Sequence, residues 1–358
     1  MQKGLRLDEL AKEIMDMEAN KKDMIAPTEK LRTVVAVLED KPTVKLMVDE
    51  GEEENSYPIL QNGHDQIADR MQIPRKYYRK MQENSPALLT TNINHWFKKE
   101  PKKQMVRTMK GEVRAFLSDK YRPYDNFLVA EAVLPVLKEQ NLKIISCQLT
   151  ETNMYIKVVN EELIGEVKAG DIVQRGTVIR NSETGHGAAS FEDFMYSCWC
   201  DNGGITGVSM RKNHVGRAIG TGNEVEGDFY QRDTIIADAN AFQLKLRDMV
   251  KNAFNKERWE LELEQYRIAA ERKVTKAPID LAKDVTKRYS LTEGEQGSFL
   301  STLLKDQEFR GLTQWGVGNA VTAIANEETV PYDRVVQLER IGGNIFGLSG
   351  KEFNTLAA

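Results

Sequence analysis

Cysteine is scarce in this chain: three residues (Cys147, Cys198, Cys200) among 358. An odd and small number excludes a disulfide scaffold and points to a reducing compartment. Long apolar runs are missing too. No stretch reaches the ~18 residues that a membrane-spanning helix needs. The N-terminus, MQKGLRLDELAKEIMDME, interleaves charge with apolar residues, unlike the apolar core of a signal peptide. There is no G-x-x-x-x-G-K-[ST] loop for nucleotide phosphates and no nucleophile elbow, and Gly216, Gly220 and Gly222 do not follow the dinucleotide spacing. Strong net charge is also lacking. The total of −4 rules out a protein that is basic all over, so any polyanion site must be a local patch.

What is present is an ordinary globular balance, 41% hydrophobic and 29% charged, which predicts a real core. Residues 5–19 place Leu7, Leu10, Ala11, Ile14, Met15 and Met17 mostly three or four apart, predicting an amphipathic helix. Leu31–Leu38 reads as a strand between Pro27 and Pro42, and the acidic run 49–54 as a solvated hairpin tip. Short helices are expected at 65–71 and 74–81. Strands follow at 105–118, 142–149, 153–159 and 172–180, with a helix at 126–140. Ile235, Ala239, Phe242, Leu246, Met249, Val250 and Ala253 mark a long helix that continues through Trp259, Leu263, Tyr266 and Ala270. Further helices are predicted at 278–289, 292–305, 314–325 and 331–341. The fold class is α+β: a central, mainly antiparallel sheet, a small N-terminal α/β head (1–98), a β-rich centre (99–230) and a helical C-terminal region (231–358). Strands 107–118, 142–149 and 153–159 are expected to share one sheet, with the 126–140 helix on one face.

Charge is unevenly spread. Residues 75–122 hold thirteen lysines and arginines against four acids, a net of +9, which leaves −13 for the remainder of a chain whose total is −4. Within this segment Lys98, Lys99, Lys102, Lys103, Arg107, Lys110, Arg114, Lys120 and Arg122 lie close to Tyr121 and Tyr124. Single-stranded nucleic acid is held by cations along its backbone and aromatic faces under its bases. These eleven residues are therefore the candidate binding site, with single-stranded DNA as the favoured partner. The bland alternative is an edge strand decorated with lysine against unwanted pairing.

Other patterns compete with this reading. The two short helices with a basic second member, Arg75-Lys76-Tyr77-Tyr78-Arg79, suggest helix-turn-helix reading of DNA, although the usual turn glycine is absent. Cys198 and Cys200 with His186 and His214 offer sulfur and nitrogen, but the spacing is wrong for a zinc knuckle and the second sulfur pair is missing. Ser182, Glu183 and His186 are neighbours without a third orienting group. Glu192 and Asp193 are the carboxylates that a metal-dependent nuclease would need. No catalytic residue, metal or cofactor is assigned. Phe254, Trp259 and Tyr266 suggest a seam between copies in a homo-oligomer.

Four stretches together resemble a family of phage and plasmid proteins named only as a domain of unknown function. They are Arg114-Ala115-Phe116-Leu117-Ser118-Asp119-Lys120-Tyr121-Arg122 with Tyr124-Asp125-Asn126, then Asn181-Ser182-Glu183-Thr184-Gly185, then Cys200-Asp201-Asn202-Gly203, then Trp315 to Thr322. The resemblance spans roughly residues 60–325; Cys198 and the glycine-rich 203–227 segment fall outside its pattern. It implies a mobile-element host and a location in the bacterial cytoplasm, and no particular activity. The leading expectation is a non-enzymatic binder of single strands acting in recombination or replication. The alternatives are a protein-interaction factor, such as an inhibitor of a host defence enzyme, and a metal-dependent nuclease.

Overall fold

The computed structural model describes residues 4–38, 41–49, 54–199, 201–213 and 232–357. The acidic tip (50–53), Cys200, His214 and most of the glycine-rich stretch lie outside the described residues. The chain is α+β, as expected, with its described strands in three antiparallel sheets.

The head comes first. Helix α1 (Leu7–Asn20) leads into strand β1 (Lys21–Pro27), then β2 (Leu31–Leu38), β3 (Lys41–Asp49) and β4 (Glu54–Pro58). Strands β2, β3 and β4 form one sheet in that order. Helices α2 (Gln61–Arg70), α3 (Arg75–Asn84) and α4 (Pro86–Lys99) follow. On α4 the residues Leu89, Ile93 and Phe97, four apart, form one buried stripe over Leu31, Val44, Leu46 and Val48. Strands β5 (Lys103–Met109) and β6 (Glu112–Ser118) make a hairpin turned at Lys110-Gly111, both at positive φ (51° and 79°). That two-residue geometry suits a tight hairpin and divides the single run expected at 105–118.

This hairpin does not join the central sheet. Its β5 edge pairs with β1 in register Asp23↔Arg107 and Ile25↔Met105. Its β6 edge is covered from α2, where Asn62 Nδ2 donates to the Arg114 carbonyl and Gln66 Oε1 accepts from the Phe116 N–H. With both edges satisfied, no ladder is left for the 143–149 strand. The small sheet β1-β5-β6 thus ties residues before Lys98 to residues after it.

After helix α5 (Asn126–Glu139) come β7 (Lys143–Leu149), β8 (Met154–Lys168), β9 (Asp171–Asn181), β10 (Ala189–Ser197) and β11 (Asn202–Lys212), paired in the order β11-β10-β9-β8-β7. Val129, Val133 and Val136 of α5 pack with Ile156, Val158, Ile179 and Phe191 of this sheet. The tail contains α6 (Arg232–Asn252), α7 (Lys256–Glu271), α8 (Pro278–Tyr289), α9 (Glu293–Lys305), the short α10 (Gln307–Arg310), α11 (Gln314–Ala323), α12 (Tyr332–Phe346) and α13 (Gly350–Ala357). The long helix expected from residue 234 is two helices. Asn255 interrupts it as an N-cap, its side chain accepting from the Arg258 N–H. Trp259 and Tyr266 pack inside with Trp315 and Phe346, and Phe254 packs against the central core, so these aromatics face inward, not toward another copy. Among the described residues, no helix is long and apolar enough to cross a membrane.

Candidate nucleic-acid interface

The eleven candidate residues separate into two groups. Arg107, Arg114, Tyr121 and Tyr124 are interior, and this corrects the expectation that they face a ligand. Tyr121 and Tyr124 are only 4% and 5% exposed. The Tyr121 hydroxyl donates to the Ser182 carbonyl at 3.0 Å, and the Tyr124 ring meets Phe242 edge-on at 4.7 Å. Neither ring has a free face for a base.

Arg107 is held by charge. It donates to Asp23 at 2.9 and 2.8 Å, to Asp125 at 2.8 Å and to the Glu183 carbonyl at 2.8 Å. Strand alternation would send Arg107 and Arg114 to opposite faces, but a bulge intervenes. The register runs Arg107↔Ala115 and then Thr108↔Val113, which leaves Arg114 as the extra residue. Re-aimed in this way, Arg114 donates to Glu183, whose other oxygen accepts from the Asn126 N–H at 2.6 Å. Lys21 completes the cluster with a 2.6 Å contact to Asp125. Burial alone raises the Asp125 carboxyl, but Arg107 and Lys21 outweigh it and hold the group below its ordinary range.

The first two motifs of the family resemblance therefore meet in one buried polar junction. Asn181 Nδ2 donates to the Tyr124 carbonyl and to Asn126 Oδ1, and Ser182 Oγ donates to the Thr152 carbonyl. This junction locks the head to the end of β9. The fourth motif does similar work at the start of β9, where Asp171 accepts from Trp315 Nε1 at 2.7 Å and from Arg310 twice at 2.8 Å.

The remaining candidates stay at the surface. Lys98, Lys99, Lys102 and Lys103 are exposed; Lys120 and Arg122 are half-buried. Lys110 is exposed and paired with Asp16 at 2.5 Å. Lys102 borders a cleft of about 330 Å³, lined also by Arg70, Gln72, Tyr77, Asn92, Trp96 and Glu100 among others. Its geometry follows from helical spacing. Tyr78 and Met81 anchor α3 in the head core, which turns the neighbouring Tyr77 outward at 47% exposure. On α4, Asn92, Trp96 and Glu100 form a stripe beside the buried one. The Lys99 ammonium lies 5.3 Å from the Trp96 ring centre, and Lys102 stands 3.6 Å from Glu100, both exposed. Sequence reasoning placed the lysines but missed Tyr77 and Trp96 as the accompanying aromatics. The available signal was the position of each one step off a buried helical stripe.

Two of the helix-turn-helix cations are engaged within the pair. Arg75 meets Asp69 at 2.5 Å and Arg79 meets Asp65 at 2.7 Å. The Arg75 hydrogen bond pulls the Asp69 carboxyl below its usual range. Behind them His64 Nδ1 lies 2.9 Å from the Tyr78 hydroxyl, and burial pushes its pKa down to about 4. The hydrolytic candidates are likewise engaged. Ser182 Oγ accepts from the His186 backbone N–H, not from its ring. Glu192 pairs with Arg340, whereas Asp193 pairs with Arg175 and Arg258, so the two adjacent carboxylates serve different contacts. Among the described residues no three His, Cys, Asp or Glu side chains gather as a metal site. Comparison with family models, curated proteins and solved structures finds no match.

Proposed function

We propose that this chain is a nucleic-acid-binding protein of a phage or plasmid that holds single strands on the head, across the cleft between Tyr77 and Trp96. One observation carries the reading: the exposed Tyr77 and the half-buried Trp96 line a cleft together with Arg70 and Lys102, and Lys99 lies over the Trp96 ring. Stacking on such rings tolerates any base, and exposed lysines exchange a weak carboxylate partner for phosphate at little cost. Lys98 and Lys103, adjacent in sequence and exposed, extend the positive field. The motif resemblance supports a mobile-element origin, with action in the host cytoplasm during recombination or replication.

Fluorescence anisotropy with a labelled single-stranded oligonucleotide tests this. Affinity should fall as salt rises, with a slope of log K against log salt of about −0.7 per phosphate contact. Lys99→Glu with Lys102→Glu should weaken binding to every sequence and flatten that slope. No affinity for single or double strands at low salt overturns the reading, and an acidic protein surface then becomes the partner to test.

A further inference from the structure

Several polar side chains of helix α4 are tied to nearby backbone. Thr90 and Thr91 both donate to the Ala87 carbonyl at 2.9 Å. Asn94 uses both amide atoms on Thr33: Oδ1 accepts from its N–H at 2.7 Å and Nδ2 donates to its carbonyl at 2.8 Å. Asn92 differs. It lines the head cleft, its Oδ1 is closed off from water, and its amide meets no hydrogen-bond partner among the described residues. Folded chains carry few buried acceptors without a donor, because such a group has lost water and gained nothing. The other polar groups of the cleft are not in this position. Arg70, Gln72, Glu100 and Lys102 are exposed and stay hydrated whatever sits beside them. Asn92 is therefore the group whose hydrogen bonds a ligand must supply. With no protein partner to give up, its amide can turn about the last side-chain torsion and present acceptor and donor together. The space beside it suits one flat ring. Ile73 and Pro74 are apolar lining, Tyr77 is exposed, and half-buried Trp96 lies one helical turn from Asn92. At about 330 Å³ the cleft is small for a ligand pocket, which limits it to a single base.

We propose that the cleft selects adenine from a single strand through the amide of Asn92. The inference rests on the cleft being the strand-binding site. A free amide offers an acceptor beside a donor, and adenine complements that pair on both of its edges. Its N6 amino group donates to Oδ1, while N7 on one edge or N1 on the other accepts from Nδ2. The remaining bases complement the amide less fully. Cytosine does so with N4 and N3 on one edge. Guanine and thymine do so with a ring N–H beside a carbonyl, and the N7 edge of guanine holds two acceptors that would leave Oδ1 unpaired. A single strand leaves both adenine edges open, whereas a duplex occupies one of them. Adenine also lays a larger ring against Tyr77 and Trp96 than a pyrimidine does, so stacking and hydrogen bonding favour the same base. The exposed lysines hold any strand; Asn92 adds a preference to that sequence-tolerant binding.

Fluorescence anisotropy at fixed low salt tests it with two short labelled strands of thymine. One carries a single central adenine, and the other carries purine deoxyriboside in that place. Purine deoxyriboside keeps both rings, N1 and N7 and lacks only the amino group. The wild type should bind the adenine strand about tenfold more tightly, because the bidentate pair is lost with the amino group. Asn92→Leu should bind the two strands equally. The wild-type comparison needs no variant, so it decides the matter even where the leucine protein does not fold. Equal affinity of the wild type for the two strands overturns this inference and leaves strand binding intact. A preference that survives in Asn92→Leu overturns the assignment to Asn92. Failure to bind either strand overturns the inference together with the reading it rests on.

Discussion

Two regions of this molecule share ingredients and differ in fate. The polar junction sets Arg107 and Arg114 beside Tyr121 and Tyr124; the head cleft sets Lys99 and Lys102 beside Trp96 and Tyr77. In the junction every cation meets a carboxylate or carbonyl from a distant segment, and the rings are sealed. In the cleft the cations have at most an exposed neighbour, Tyr77 is exposed and Trp96 is half-buried with Lys99 over its ring. A basic, aromatic-rich segment therefore does not by itself identify a binding surface. What decides is whether carboxylates elsewhere in the chain already occupy its cations.

The largest effect that separates the two regions is expected on stability. Arg107→Ala leaves Asp23 and Asp125 facing each other without their guanidinium. Breaking a buried pair from one side costs about 3–5 kcal/mol. Urea denaturation should show that loss, while Lys102→Ala should leave the midpoint unchanged. Equal, small effects from both would erase the distinction.

The next effect depends on pH and comes from the head. His64 is held neutral by burial, with its folded pKa lowered to about 4 against an ordinary value of 6.5. Between those values the unfolded chain takes up a proton that the folded chain refuses. Stability is therefore full above about pH 6.5 and declines as pH falls toward 4, by about 3 kcal/mol at most. The urea midpoint measured against pH should show this slope in the wild type and lose most of it in His64→Gln. A slope unchanged in the variant would assign the pH dependence to other groups.

A smaller effect sharpens the contrast at a single oxygen. Tyr121→Phe keeps the ring and removes the hydrogen bond to Ser182, costing about 1 kcal/mol. Thermal melting should register it.

Much of the helical architecture was legible in the sequence, for identifiable reasons. Helix α8 begins at Pro278, which is favoured in the first turn, and ends where Ser290 adopts a left-handed conformation, so its expected limits match the observed Pro278–Tyr289. The tail helices have clear 3.6-residue periodicity, and the strands near 143–149, 154–168 and 171–181 carry β-branched runs between turns. Two failures were of another kind. The Lys110-Gly111 turn was read through because a lysine at positive φ leaves no mark in a lysine-rich run. The sheet assignment failed because pairing partners are non-local: β1 and β5 are some eighty residues apart, and no periodicity links them. The site failed where a bulge and distant carboxylates decided the matter. Alternation placed Arg114 away from Arg107, and nothing within residues 98–122 announced Asp23, Asp125 or Glu183 as partners.

The contrast between junction and cleft is tested most directly by titrating one labelled single-stranded oligonucleotide, at fixed low salt, with the wild type, Trp96→Ala and Tyr121→Phe. Loss of a stacking ring costs about 1–3 kcal/mol, so Trp96→Ala should bind roughly tenfold or more weakly at an unchanged melting temperature. Tyr121→Phe should bind as the wild type does while melting lower. The opposite pattern, weakened binding in Tyr121→Phe and full affinity in Trp96→Ala, would contradict the account.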